Sequence, residues 1–228
     1  MSERSRTLES AVSENFFPSH LLIHFFYIFI DKMKLLEFQD KAKSHNLRAF
    51  TAGEFQRIMG SSKKAAQELL GRYAKKGVVA KLRNNYYMVM HDPPSAYLIS
   101  NKVYRPSYIS FETALSHHGV IPETVYEITA ATTKATREFN IQGRIFRYHK
   151  IKKAAYTGYV PTETDGDTIL MAEPEKALAD YLYFAHMGKK TPNERFNLGR
   201  IDKKKAVDYS RLYKRKGFTE FIKNVVGE

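Results

Sequence analysis

Residues 50–89 read FTAGEFQRIMGSSKKAAQELLGRYAKKGVVAKLRNNYYMV, and this stretch decides the fold. Thr51 and Glu54 make a capping-box pattern. The Thr hydroxyl accepts from the backbone N–H three residues on, and the Glu carboxylate reaches back to the Thr N–H. A helix therefore starts here. Phe55, Ile58 and Met59 continue its apolar face to Gly60, which adopts positive φ at a helix end. Ser61 and Ser62 both suit the cap of a second helix. That helix spans about Lys63 to Lys76, with Ala66, Leu69, Leu70 and Tyr73 at i, i+3, i+4 and i+7. Gly77 ends it. The next residues, VVAKLRNNYYMVM (78–90), are β-formers around a turn at Arg83-Asn84-Asn85, where Asn tolerates left-handed φ. Upstream, Lys34 to His45 carries Leu35, Leu36, Phe38 and Ala42 at helical spacing. Helix, helix, tight turn, helix and hairpin is the order of a winged helix-turn-helix.

Beyond this stretch, Asp92-Pro93-Pro94 breaks the pattern. The expected fold class is α+β: a winged helix-turn-helix over 33–92, followed by a mixed α/β domain over 93–228. In the latter, Ser110 to His118 reads as a short helix closed by Gly119 and Pro122. Val125 to Thr132 alternates as a strand, and Asn140 to Tyr148, containing Gly143, reads as a partner strand. Asp165-Gly166-Asp167 is a turn, followed by a short strand over Ile169–Met171. Pro174 opens a helix carrying Ala177, Leu178, Tyr181 and Leu182. Two short helices are expected near 203–214 and 218–225. No repeat or low-complexity tract is visible.

Residues 1–32 differ in character. Phe16 to Ile30, FFPSHLLIHFFYIFI, is almost wholly apolar. At about 15 residues it falls short of the roughly 20 that a membrane-spanning helix needs. Three readings stand: a signal or anchor segment, a segment packed on the body, or an extension outside the natural product. Met33 opens MKLLEFQ, and translation is expected to start there.

Charge points to a partner. The chain has 37 Lys+Arg against 24 Asp+Glu, a formal net charge of +13. Residues 33–92 hold 12 basic against 5 acidic side chains, and the much longer 93–228 segment holds 22 against 15. The first segment is the denser in positive charge. Such excess concentrates polyanions and releases their counterions on contact. There is no cysteine, which excludes disulfides, Cys zinc sites and a Cys nucleophile. A cytoplasmic location is expected, with no membrane partner.

The contact residues follow from the fold. A helix-turn-helix lays its second helix in the major groove, N-terminal residues toward the base edges. Ser61, Ser62, Lys63, Lys64 and Gln67 occupy that end. Lys donates to guanine, Gln binds adenine through two bonds, and Ser meets bases or phosphate. The hairpin carries Lys81, Arg83, Asn84, Asn85 and Tyr86, suited to the phosphate backbone or the minor groove. Double-stranded DNA is the expected partner. No catalytic group, cofactor or metal is expected. His117-His118 are sequential and point about 100° apart on a helix, which makes no shared metal face. The alternative is a DNA-acting nuclease guided by a winged helix, with Asp165, Asp167, Glu173, Glu175 and Lys176 as its acidic cluster. Turn and helix-start acids account for these residues as well. Three basic runs, at 150–153, 203–205 and 214–216, read as solvated faces or a second phosphate-contacting surface.

Four stretches together resemble a known family: residues 50–89 above, SYISFETALSHHGVIPETVYEITAAT (107–132), RIFRYHKI (144–151) and AEPEKALADYLYF (172–184). In this order they resemble the AbiEi antitoxins of type IV toxin–antitoxin and abortive-infection systems, over about residues 33–228. The resemblance implies a repressor of its own operon, with a winged helix on inverted repeats in the promoter. It implies a C-terminal domain linked to antitoxicity and to cooperation on DNA. It also implies a cognate nucleotidyltransferase-like toxin, encoded alongside and countered without requiring a stable complex, direct binding being left open, in phage defence.

Overall fold

A computed structural model describes residues 19–191, 193 and 195–228. Residues 1–18, including the start of the apolar stretch at Phe16, lie outside the described residues. The chain divides into two compact units, Met1–Leu47 and Arg48–Glu228.

In the first unit, helix α1 runs from Ser19 to Ser44. It covers the expected 34–45 helix and continues through Met33 without interruption. The reason is local: no Gly or Pro occurs between 19 and 44, so nothing stops a helix there. Asn46 takes left-handed φ, and Leu47 N–H donates to Ala42 O at 2.7 Å, closing the end. Phe38 and Ala42 are buried, whereas Leu36 is exposed. No described helix is long and apolar enough to cross a membrane.

The second unit opens with β1 (Ala49–Thr51), α2 (Ala52–Met59), α3 (Lys63–Lys75), β2 (Val79–Arg83) and β3 (Tyr86–Val89). The capping box is present. Glu54 N–H donates to Thr51 Oγ1 at 3.1 Å, and Thr51 N–H donates to Glu54 Oε2 at 2.6 Å. Gly60 takes φ 58° at the end of α2, and Ser62 caps α3 through Ala65 N–H. Ala66, Leu69, Leu70 and Tyr73 are the buried face of α3. Phe50 stacks on Phe55 and Tyr87, and Phe55 meets Tyr73 of α3 edge to face, with ring centroids about 6 Å apart. The sheet order is β1-β3-β2. Strand β1 is too short to announce itself in sequence, and it forms by pairing with β3.

After Asp92-Pro93-Pro94 comes α4 (Ala96–Val103), capped by Ser95, where no helix was expected. Then follow β4 (Ser107–Ile109), α5 (Phe111–His117), β5 (Ile128–Thr132), β6 (Arg137–Ile141), β7 (Arg144–Lys150), β8 (Tyr159–Thr164), β9 (Asp167–Ala172), α6 (Pro174–His186), α7 (Lys203–Arg211) and α8 (Phe218–Val226). The fold is thus α+β, with two sheets. The second has the order β6-β7-β5-β4-β9-β8, with β5/β7 and β4/β9 parallel and the other pairs antiparallel. Every residue of β5 is buried, as befits a strand paired in parallel within a sheet. The expected single strand over 140–148 is instead a hairpin. Gln142 and Gly143 both take positive φ, and such a pair closes a two-residue turn. One continuous cluster of buried side chains runs from Leu82 and Met88 through Ile109, Phe146 and Met171 to Leu182 and Ile222. Arg48 bridges across the Pro93 stretch, donating to Pro93 O at 2.6 Å and to buried Asp167 at 2.8 Å.

Two positions in this core give measurable consequences. Gly158 has φ +73°, and a Cβ there would lie 2.6 Å from the Tyr209 ring. Tyr209 cannot move freely, because its hydroxyl donates to Glu173. Gly158→Ala is expected to destabilise the protein by about 2 kcal/mol, from left-handed backbone strain plus overpacking. Thermal unfolding should show this as a lowered Tm; an unchanged Tm would mean the Tyr209 ring gives way.

His149 lies between the rings of Phe111 and Phe184, at 4.9 and 5.0 Å. Its Nε2 is buried without a hydrogen-bond partner among the described residues. Burial, aided by Lys190 and Arg147, pushes its pKa down to about 4. The native state therefore holds His149 neutral while the unfolded chain protonates it below about 6.5. Stability from this residue is present at neutral pH and lost as pH falls from about 6.5 toward 4. The loss at pH 5 relative to pH 8 is about 2 kcal/mol. Urea unfolding of His149→Phe at the two pH values should show that much less acid sensitivity than the unsubstituted chain.

Candidate nucleic-acid interface

Helices α2 and α3 are joined by only three residues, 60–62. The Ser62 cap sets the first turn of α3, and its buried face fixes which side chains point outward. Ser62, Lys63, Lys64 and Gln67 are exposed, as are Lys81, Asn84 and Asn85 on the hairpin. The structure brings Lys63, Gln67 and Asn85 together. With Ala52, Gly53, Gln56 and Ala66 they line an open cleft of about 460 Å³. Asn85 reaches it because the hairpin turn folds back on α2: Ala52 N–H donates to Asn85 O at 3.1 Å. Gln56 was not singled out from sequence, although it lies on the polar side of a helix whose apolar face is Phe55, Ile58 and Met59.

Three expected contact residues are placed differently. Arg83 turns inward, donating to Val103 O at 3.0 Å and lying 4.3 Å over the Phe139 ring. Tyr86 packs against the core cluster. The Ser61 hydroxyl is buried and has no hydrogen-bond partner among the described residues. For Arg83, the neighbours that draw the side chain in, Val103 and Phe139, lie outside the hairpin. Ser62 remains exposed, but its oxygen already accepts from Ala65 N–H at 3.2 Å.

Beside the cleft, the Glu54 carboxyl sits below its ordinary pKa. Burial raises it, but the Thr51 N–H bond and the positive charges of Lys102 and Arg105 outweigh that. The capping box therefore stays ionised and intact at neutral pH, keeping α2 in place beneath the cleft.

The acids of the nuclease alternative serve structural bonds. Asp165 is a turn residue with φ 51°, and its carbonyl accepts from Arg48. Asp167 is buried, accepting from Arg48 and from Ser95 N–H. Glu173 holds Lys205 at 2.8 Å and the Tyr209 hydroxyl. Glu175 accepts from Asp202 N–H at 3.1 Å. Lys176 is buried against Asp180. Among the described residues, no group of three or more His, Asp or Glu side chains could hold a metal ion. The rings of His117 and His118 stand at 84° to each other, and His118 Nε2 lies 2.8 Å from Ala172 O.

The basic runs converge in part. Lys152 Nζ donates to Tyr213 O at 2.5 Å and to Lys214 O at 3.3 Å, which sets the 150–153 run beside 214–216. No family model matches the chain, and no curated protein sequence matches it.

Proposed function

We propose that this chain is a sequence-specific DNA-binding repressor whose residues 33–92 act as a winged helix-turn-helix. The observation that carries this reading is the cleft at the start of α3. Lys63, Gln67, Asn85 and Gln56 converge there, with Lys64 exposed alongside. A lysine and amides at a helix N-terminus suit base edges and phosphates together. The net charge of +13 supports a polyanionic partner. The resemblance to AbiEi antitoxins extends the proposal. In that reading the protein represses its own promoter through inverted repeats, acts in the cytoplasm, and counters a nucleotidyltransferase-like toxin.

The test is a gel shift on the DNA upstream of its own gene against a scrambled duplex, at two salt concentrations. Promoter-specific shifts that weaken steeply with salt support the reading. The slope of log K against log salt is expected near about −0.9 per phosphate neutralised. Equal affinity for both duplexes would remove sequence-specific repression from the proposal.

A further inference from the structure

On helix α1, Phe26, Phe29, Met33 and Leu36 are 63, 52, 53 and 48% exposed. They are spaced three, four and three residues apart. That spacing draws one line along a helix, the a and d seam of a coiled coil. At about 100° per residue, this line runs opposite Phe38 and Ala42, which are buried. Phe25 and Ile30, also exposed, flank the seam, while Tyr27 and Ile28, 69 and 56% exposed, lie off it on the other side of the helix. Asp40 and Lys43 occupy the next two seam positions and end it. Four large apolar side chains in register exceed the scattered exposure ordinary on a surface.

The charges beside the seam select the occupant. With Phe26 and Met33 at a, and Phe29 and Leu36 at d, Lys32 falls at g and Glu37 at the following e. In a parallel pair, a g residue faces the partner's next e residue. Lys32 would then face Glu37 of the partner subunit, twice by symmetry. Both side chains are exposed. Glu37 also accepts from Lys41 of its own helix at 2.6 Å, so the pair would join a three-charge group.

We propose that α1 pairs in parallel with α1 of a second copy, through Phe26, Phe29, Met33 and Leu36, with Lys32 and Glu37 setting direction and register. This stands apart from the DNA reading, requires a chain that includes residues 26–32, against the expected start at Met33, and would supply a two-fold symmetric assembly. The test is size-exclusion chromatography of the full chain with light scattering. The expected mass is twice the chain's 26.4 kDa. Phe29→Asp with Met33→Asp should return it to the single-chain mass. Lys32→Glu alone and Glu37→Lys alone should each weaken self-association roughly tenfold, by placing like charges opposite each other. An equimolar mixture of the two charge variants should recover the original affinity. In the mixed pair, both g-to-e contacts again join a lysine to a glutamate. A single-chain mass for the unsubstituted protein at micromolar concentration overturns the proposal. So does a dimer that survives the double Asp substitution, or a mixture no tighter than its components. Single-chain protein that instead floats with phosphatidylglycerol vesicles would assign the stripe to a lipid surface.

Discussion

Replacing Lys176 by Met is expected to lower the unfolding free energy by about 3–5 kcal/mol, the cost of leaving a buried partner charge unpaired. Lys176 and Asp180 are one turn apart on α6, and both side chains are fully buried. Asp180 is a hub. It accepts from Lys176, from the Tyr213 hydroxyl, from Tyr108 OH at 3.0 Å and from Ser110 Oγ at 2.6 Å. These donors come from β4 and the residue after it, from α6 itself and from the segment after α7, so one carboxylate ties three parts of the fold together. Burial pushes the lysine pKa down, and Asp180 pulls it back up. Burial and the Asp180 charge also push the Tyr108 and Tyr213 hydroxyls well above their ordinary pKa. Both phenols therefore stay protonated and keep donating. Deleting only the lysine leaves the buried Asp180 carboxyl without its cationic partner. Total domain stabilities run at about 5–15 kcal/mol, so the variant should unfold at much lower urea. The companion experiment is Lys176→Met with Asp180→Leu. If the single-variant loss comes from an orphaned charge, the double variant should be more stable than Lys176→Met alone. A double variant that is worse by the sum of two singles would instead show that the network's geometry, including the two tyrosines, carries the stability.

That hub was hidden in the sequence for a physical reason. Along α6, PEKALADYLYFAH reads as an apolar helix with a few polar residues, and local spacing does not say that a lysine points inward. Its burial depends on Tyr108 and Tyr213, which lie 72 and 33 residues from Asp180 along the chain. Features with local causes were legible: the Thr51–Glu54 box, the apolar face of α3, the Asn85 turn, and the Pro174 helix start. Features decided at a distance were not. Strand β1 is three residues held by β3. Helix α4 begins just past two prolines that read as a break, although Ser95 caps it. Of the candidate site, the exposed residues of α3 were readable, because a buried face at i, i+3, i+4 and i+7 fixes the opposite one. Arg83 and Tyr86 were not, since their inward turn depends on Val103, Phe139 and the core cluster.

The combined change Lys63→Ala, Lys64→Ala and Gln67→Ala is expected to weaken binding to the promoter by about 3 kcal/mol, roughly 100-fold, if this end of α3 reads bases. Gln67→Ala alone should cost about 1–3 kcal/mol on promoter DNA and little on random duplex, because a lost bidentate contact to adenine matters only where that adenine stands. Lys81→Ala should behave differently. Its side chain is exposed on β2, and a phosphate contact would be lost equally on both duplexes, with the salt slope reduced by about 0.9. Arg83→Ala separates structure from recognition. Its guanidinium is spent on Val103 O and the Phe139 ring, so the change should lower thermal stability while leaving the ratio of promoter to random affinity intact. Fluorescence anisotropy with both duplexes at two salt concentrations reads all four variants on one scale. Equal loss on promoter and random DNA for Gln67→Ala would remove base readout from this helix. An intact affinity ratio for the triple variant would move recognition away from the cleft altogether, leaving the converged basic runs near Lys152 and Lys214 to account for any binding that remains.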